Sequence, residues 1–274
     1  MTRTNFEVDI LASGSKGNAT LVQAGHTAIL IDVGISCRRI VQGLAQCGLI
    51  PEDLGGVFLT HEHKDHVAGL EVFARQHPTV PIFANEKTWS KLPVRRQMPR
   101  SQVRIVPRGC TLGALRIASF KIPHDAVDPV GYQIFFGDEK CTYLTDCGSV
   151  TKTVEQAVDG AAVLILEANH DEDMLRSGPY PYALQQRILG SLGHLSNTAA
   201  GNFLTSLDAP PLEVFLAHLS EKNNTPQVAR DAVAAALTNG QRTGNIILRV
   251  AKQRGLISNV QPIKETSYEK SSKI

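Results

Sequence analysis

Three histidines and an aspartate fall within one short run, His61-Glu62-His63-Lys64-Asp65-His66, and no other stretch limits so tightly what this chain can become. The run follows the apolar segment Gly56-Val57-Phe58-Leu59-Thr60 and precedes a segment with helical spacing, Val67 to Gln76. It therefore sits in a turn leaving the C-terminal end of a strand, where α/β proteins place ligand chemistry. In extended backbone, residues two apart point the same way, so His61 and His63 can share one metal ion. Where the chain bends into the helix, Asp65 and His66 can face a second ion beside the first. Imidazole nitrogens with one carboxylate suit zinc, manganese or iron. Two ions about 3.5–4 Å apart can hold a hydroxide between them and clamp both oxygens of a displacement.

The rest of the chain reads as strands mixed with helices. Strand patterns cover Phe6 to Leu11, Ala19 to Gln23, Thr27 to Ile31, Gly56 to Thr60, Val80 to Ala84 and Leu115 to Lys121. Further ones cover Val130 to Phe136, Cys141 to Thr145, Ala162 to Leu166, Glu213 to Ala217 and Ile246 to Val250. Helical spacing marks Ser36 to Gly48, Val67 to Gln76, Pro181 to Leu189, Asn197 to Leu207 and Pro226 to Leu237. Strand pairs mixed with βα units predict a layered α/β fold of two mixed sheets with outer helices. With 274 residues and no internal repeat or low-complexity linker, a single domain over residues 1–260 is expected, with a polar, flexible tail at 261–274. Five cysteines without a CxxC pair, no apolar leader and no membrane-length apolar run predict a cytoplasmic protein. The net charge of +2 is too small to mark a nucleic-acid binder by itself, so any basic patch has to be local.

Two ions need more ligands, and three polar residues follow later apolar runs as the first cluster does. His124 follows LRIASFKIP, Asp146 follows CTYLT and His218 follows EVFLA. The run HxHxDH, then a His, an Asp and a His at later strand ends, resembles the metallo-β-lactamase superfamily. The resemblance implies an αββα sandwich. It implies His61, His63 and His124 on one metal, Asp65, His66 and His218 on the other, and Asp146 between them. Asp32, in LIDVG, matches an early aspartate that orients a metal-bound histidine.

Within that superfamily, HDAVDPVGYQI followed by YLTDCG is similar to ribonuclease Z and the cyclic phosphodiesterase PhnP. Glu167 in LILEANHD and His194 in LGHLSN match a Glu and a His that assist phosphodiester cleavage there. The resemblance implies that His194 donates a proton to the leaving oxygen, that Glu167 sets its orientation, and that Asp65 touches the nucleophile as well as a metal. SGSKGN (13–18), EANHDEDML (167–175), GPYPYALQQRI (178–188) and GHLSN (193–197) together resemble the YycJ/WalJ branch, bacterial cytoplasmic proteins regarded as 5′-to-3′ exonucleases on double-stranded DNA. The implied activity is a two-metal phosphodiesterase that uses a metal-bridging hydroxide, with zinc or manganese, or iron, as the ions and duplex DNA as partner.

Two further features bear on the substrate. The turn Ser13-Gly14-Ser15-Lys16-Gly17-Asn18 offers backbone N–H groups near the metal edge, and Ser13, Gly14, Ser15 and Asn18 are candidate phosphate contacts. A basic stretch runs through Lys87, Lys91, Arg95, Arg96, Arg100 and Arg104, with Trp89 inside it. Only 22 positions separate His124 from Asp146, and 72 separate Asp146 from His218. These gaps leave no room for a long tRNA-gripping arm or for the extra domain of RNA-cleaving β-CASP proteins. The alternatives are a small-molecule hydrolase of cyclic phosphodiesters or thioesters, a vestigial metal-site regulator, and a flavodiiron-like oxidoreductase, against which His63 weighs.

Overall fold

Along Thr27–Ile31 the side chains alternate, Ala28 and Leu30 packing to one side and Ile29 and Ile31 to the other, and all four are buried. A strand buried on both faces needs a layer on each, and the fold supplies both. The computed structural model describes residues 4–106, 109–241 and 246–260, so the tail expected at 261–274 lies outside the described residues. The first sheet is built from β1 (Glu7–Ala12), β2 (Ala19–Ala24), β3 (Thr27–Ile31), β4 (Leu54–Phe58), β5 (Ile82–Ala84) and β6 (Val103–Ile105). The second holds β7 (Gly109–Leu112), β8 (Leu115–Lys121), β9 (Val130–Phe136), β10 (Glu139–Leu144), β11 (Val163–Glu167), β12 (Glu213–Ala217) and β13 (Ile247–Val250). A last strand, β14 (Ile257–Ser258), returns to pair with β1, giving the orders β14-β1-β2-β3-β4-β5-β6 and β13-β12-β11-β10-β9-β8-β7.

Three apolar layers follow from this arrangement. Val8, Ile10, Ile29, Ile31, Phe58, Ile117, Ile134, Ile165 and Phe215 interleave between the sheets. Leu30, Val57 and Leu59 pack outward on the helices Cys37–Gln46 and Leu70–Gln76 through Ile40, Leu44 and Phe73. Leu164, Leu166 and Leu216 pack on Lys152–Val158, Asn197–Ser206 and Pro226–Asn239. The result is the αββα sandwich of two mixed sheets.

Several sequence expectations are refined. The helix expected over Val67 to Gln76 is two pieces, Lys64–Val67 and Leu70–Gln76. The break falls at Gly69, whose N–H bonds Val33 O at 2.8 Å and whose Cβ would meet Ile35 O at 2.1 Å. The strand expected over Gly56 to Thr60 runs Leu54–Phe58; Leu59 N–H still bonds Phe83 O at 2.8 Å, and Thr60 turns away to donate its N–H to Asp32. Ser36 stands at the N-cap of its helix without a side-chain cap bond. Trp89 is 1% exposed and donates its indole N–H to Arg104 O, so it packs the segment down and offers no face for a base to stack on.

Candidate metal centre

Strand direction decides where the polar residues meet. β3 to β6 run parallel to one another, as do β10 to β13. Asp32 follows β3, the His61–His66 turn follows β4, His124 follows β8, Asp146 follows β10, Glu167 closes β11 and His218 follows β12. Their side chains converge at one edge of the sandwich. His61, His63 and His124 place ligand atoms within 4.8 Å of one another, as do Asp65, His66 and His218, and His61, His66 and Asp146. Asp146 is the hub. Its Oδ2 lies 3.2 Å from His66 Nε2, and its Oδ1 lies 3.4 Å from His218 Nε2 and 3.7 Å from His124 Nε2.

The imidazoles are aimed by hydrogen bonds at their far nitrogens. His66 Nδ1 donates to Asp32 Oδ2 at 2.7 Å. Thr60 gives its hydroxyl proton to the same carboxylate and accepts from His61 Nδ1 at 3.0 Å. His124 Nδ1 meets Gly193 O at 3.2 Å, and His218 Nδ1 meets Glu167 Oε1 at 2.9 Å. All four rings are thereby left with Nε2 for the centre. His63 turns the other way and presents Nδ1, 3.2 Å from His124 Nε2. Asp32, Asp146 and His218 all adopt φ between 56° and 61°. That left-handed backbone is uncommon outside glycine, and aspartate and histidine are among the residues that adopt it most often. The His218 N–H is caught there by Ser13 Oγ at 2.7 Å.

The donor set suits divalent cations. His61 Nε2 and Asp146 Oδ2 are buried without a hydrogen-bond partner, a cost of about 1–3 kcal/mol each unless something binds them. Burial opposes charge on Asp146, but the adjoining His218 and His66 hold its carboxyl well below the ordinary range. Burial likewise opposes protonation of His218, and Asp146, Asp65 and Glu167 outweigh it, raising the imidazole to about 10. At neutral pH the cation-free protein thus keeps His218 protonated, and a metal ion held by this imidazole would have to displace a proton. Two outcomes are expected. Apparent metal affinity should rise as pH rises toward that value, measured by competition with a chelating dye. Saturating divalent ion should stabilise the chelated protein by about 3–4 kcal/mol. That is a melting-temperature rise of roughly 5–15 °C for a domain of this size; an unchanged melting temperature would contradict cation binding at this edge.

Glu167 and His194 sit beside this cluster. Glu167 Oε1 accepts from His194 Nδ1 at 2.8 Å as well as from His218, while Oε2 accepts the backbone N–H groups of Cys147 and Leu195 at 3.0 Å each. Burial would raise this carboxyl, but His194 and His218 bring it down to about 2. Burial works against protonation of His194, and Glu167 reverses it, so the imidazole is raised above its ordinary value. His194 Nε2 has no protein partner among the described residues, and the ring lines a cleft of about 240 Å³ together with Ser15, Tyr180, Arg187 and Ser220. Arg187 bridges to Asp125, the neighbour of His124, at 2.6 Å.

In the 13–18 turn, most polar groups are already engaged. Gly14 N–H goes to Asn18 Oδ1, Asn18 N–H to Asp65 O, and the Asn18 amide lies against Asp65 and His66. Lys16 pairs with Glu221. Ser13 supports His218, so Ser15 is the member of the turn that faces the cleft. Sequence reasoning missed Thr60, the grip of Glu167 on His218, and Gly34, whose Cβ would lie 1.6 Å from Asp65 O. Gly34 closes LIDVG, and its proximity to Asp32 was the available signal. Asp32→Asn, which keeps shape and tolerates the same φ, is expected to weaken metal affinity about 10–100-fold by loosening His66. Chelator competition reads this directly, and unchanged affinity would remove Asp32 from the support.

The Beta-lactamase superfamily domain matches residues 27–219, the span from β3 to just beyond His218. The chain belongs to that superfamily. It is 38% identical over 235 residues to the exodeoxyribonuclease WalJ of Streptococcus pneumoniae, covering 84% of this chain and 87% of that one. It is 35% identical to the exodeoxyribonuclease YycJ of Bacillus anthracis, covering 83% and 88%. Among solved structures, the metallo-β-lactamase fold protein YhfI of Bacillus subtilis superposes with a TM-score of 0.69 at 18% identity, over 92% of this chain and 99% of that one. No helix among the described residues is long and apolar enough to cross a membrane.

Proposed function

We propose that this superfamily member is a phosphodiesterase holding two divalent cations, and that it acts as a 5′-to-3′ exonuclease on double-stranded DNA. The observation that carries the reading is Asp146 shared between two sets of donors, with His194, itself paired to Glu167, 3.7 Å from it. The similarity to proteins named exodeoxyribonucleases supports DNA as the substrate. His61, His63 and His124 would hold one ion, Asp65, His66 and His218 the other, and Asp146 both. Zinc and manganese suit this donor set, and iron is compatible with it. When bound, such ions supply Lewis acidity toward the phosphoryl oxygens and a water acidic enough to attack at neutral pH.

The chain's own residues supply the remaining roles. Glu167 keeps a proton on His194 Nδ1 and fixes the ring plane. His194 then delivers its Nε2 proton to the 3′-oxygen as the phosphorus–oxygen bond breaks, so the leaving group departs neutral. Asp65 is 25% exposed and borders the cleft, where it can orient the attacking water as well as bind metal. Ser15 and Ser220 line the same cleft and offer hydroxyls to the phosphate.

Duplex DNA labelled at the 5′ or at the 3′ end, incubated with metal-loaded protein, tests the reading. Early release of mononucleotides from the 5′ label is expected. A two-metal protein that leaves duplex DNA intact yet cleaves a cyclic phosphodiester or a thioester would move the assignment to a small-molecule hydrolase. The modest cleft of about 240 Å³ makes that the second reading.

A further inference from the structure

Between Glu86 and Asp125 the chain carries nine lysines and arginines and not one carboxylate. The whole chain has 28 basic and 26 acidic residues, so everything outside this stretch holds 19 and 26 and has a net charge of −7. A nearly neutral protein thus has its net positive charge confined to one stretch of 38 residues, with a net negative charge over the rest. Edge strands commonly carry a charge or two to block pairing, but that purpose is met by either sign and does not require the exclusion of acids.

The structure lays this stretch along one side of the sandwich. The helix Glu86–Lys91 starts at the C-terminal end of β5, on the edge that bears the metal cluster, and Asn85 Nδ2 ties it to Asp128 O, four residues from His124. The chain then descends through Pro93–Gln97 and Arg100 and returns as β6, the outermost strand of its sheet. A shallow groove of about 910 Å³, bordered by Arg95, Arg96 and Arg100, lies on this side. Arg95 is paired with Glu86, Arg116 covers the Phe135 ring and Lys121 meets Asp128. Lys87, Lys91, Arg96, Arg100 and Arg104 are exposed and have no acidic partner among the described residues. Their backbone is fixed from beneath by buried Trp89, bonded to Arg104 O.

We propose that this stripe is the track for the backbone of duplex DNA, leading the strand end to the metal centre. The inference rests on the phosphodiesterase reading above and adds the surface that grips the polymer. Duplex is favoured over single strand because the stripe offers cations without an exposed aromatic ring. Single-strand binding relies on stacking platforms, and Trp89, the one aromatic residue from Lys87 to Arg104, is buried. Each phosphate neutralised contributes about −0.9 to the slope of log affinity against log salt on duplex DNA.

The test compares wild type with the triple variant Lys91→Gln, Arg96→Gln, Arg100→Gln by fluorescence anisotropy on a labelled blunt duplex. Binding is measured in chelator, so that no cleavage occurs, from about 50 to 200 mM salt. The triple variant is expected to lose about two to three units of slope and on the order of ten- to a hundredfold in affinity near 0.1 M salt. Metal-loaded turnover of a nucleoside p-nitrophenyl phosphate, too short to reach the stripe, should stay unchanged, which also shows that the variant folds. An unaltered slope overturns the proposal. So does wild-type binding of a single strand at least as tight as of duplex, or equal salt-sensitive binding to vesicles of anionic lipid. Loss of all ester turnover in wild type would overturn the active-site reading alone, because the anisotropy result does not depend on cleavage.

Discussion

Asp146→Asn is expected to keep the fold and lower kcat for phosphodiester cleavage at least about a thousandfold, the equivalent of roughly 4 kcal/mol of transition-state stabilisation. The substitution is nearly isosteric, and asparagine accepts the left-handed backbone at φ 56° that this position demands. What changes is charge. Four imidazoles, His66, His124, His194 and His218, lie within 3.7 Å of this carboxylate. A neutral amide there removes the one anion common to both donor sets and turns an acceptor-only group into a partial donor facing Nε2 atoms. Metal content should fall from two ions per chain to one or fewer, measured by elemental analysis after gel filtration. Retention of two ions with full activity would mean that Asp146 is a structural counter-ion.

His194→Ala should have the next largest effect, lowering the rate on DNA by about 10²–10⁴ with metal content unchanged. The loss should nearly vanish on a p-nitrophenyl ester, whose leaving oxygen needs no proton. This split separates proton donation from positioning. His194 touches Glu167, which also holds His218, so a packing defect would slow both substrates equally. Equal loss on the two esters would assign His194 a supporting role.

The histidine cluster was legible because its chemistry is compressed into one strand-to-helix turn, where period-two geometry alone sets which side chains share a face. β3, β11 and β12 were legible as strands from their short apolar runs, and the sandwich then buries both faces of each. The convergence of His124, Asp146 and His218 was suggested by each following such a run, since parallel strands bring their C-terminal ends to one edge. Other elements gave weaker signals. β6 and β7 are edge strands of three and four residues without a fully buried position, too short for periodicity to register. The helix Lys152–Val158 is barely two turns long. Support for the site was hidden for a different reason. Asn18 reaches Asp65 across 47 positions and Glu167 reaches His218 across 51, contacts that only the closed sandwich creates. The left-handed turns at Asp32, Asp146 and His218 left no glycine to mark them. Trp89 stands among cations in the sequence, and its burial makes it the anchor beneath them.

An anomalous-scattering map of crystals grown with manganese or zinc tests the two-metal centre most directly. Two peaks about 3.5–4 Å apart are expected. One should lie among His61, His63 and His124, the other among Asp65, His66 and His218, with the Asp146 carboxylate between them. A single peak, or a pair lying away from Asp146, would contradict the two-metal centre on which the proposed chemistry depends.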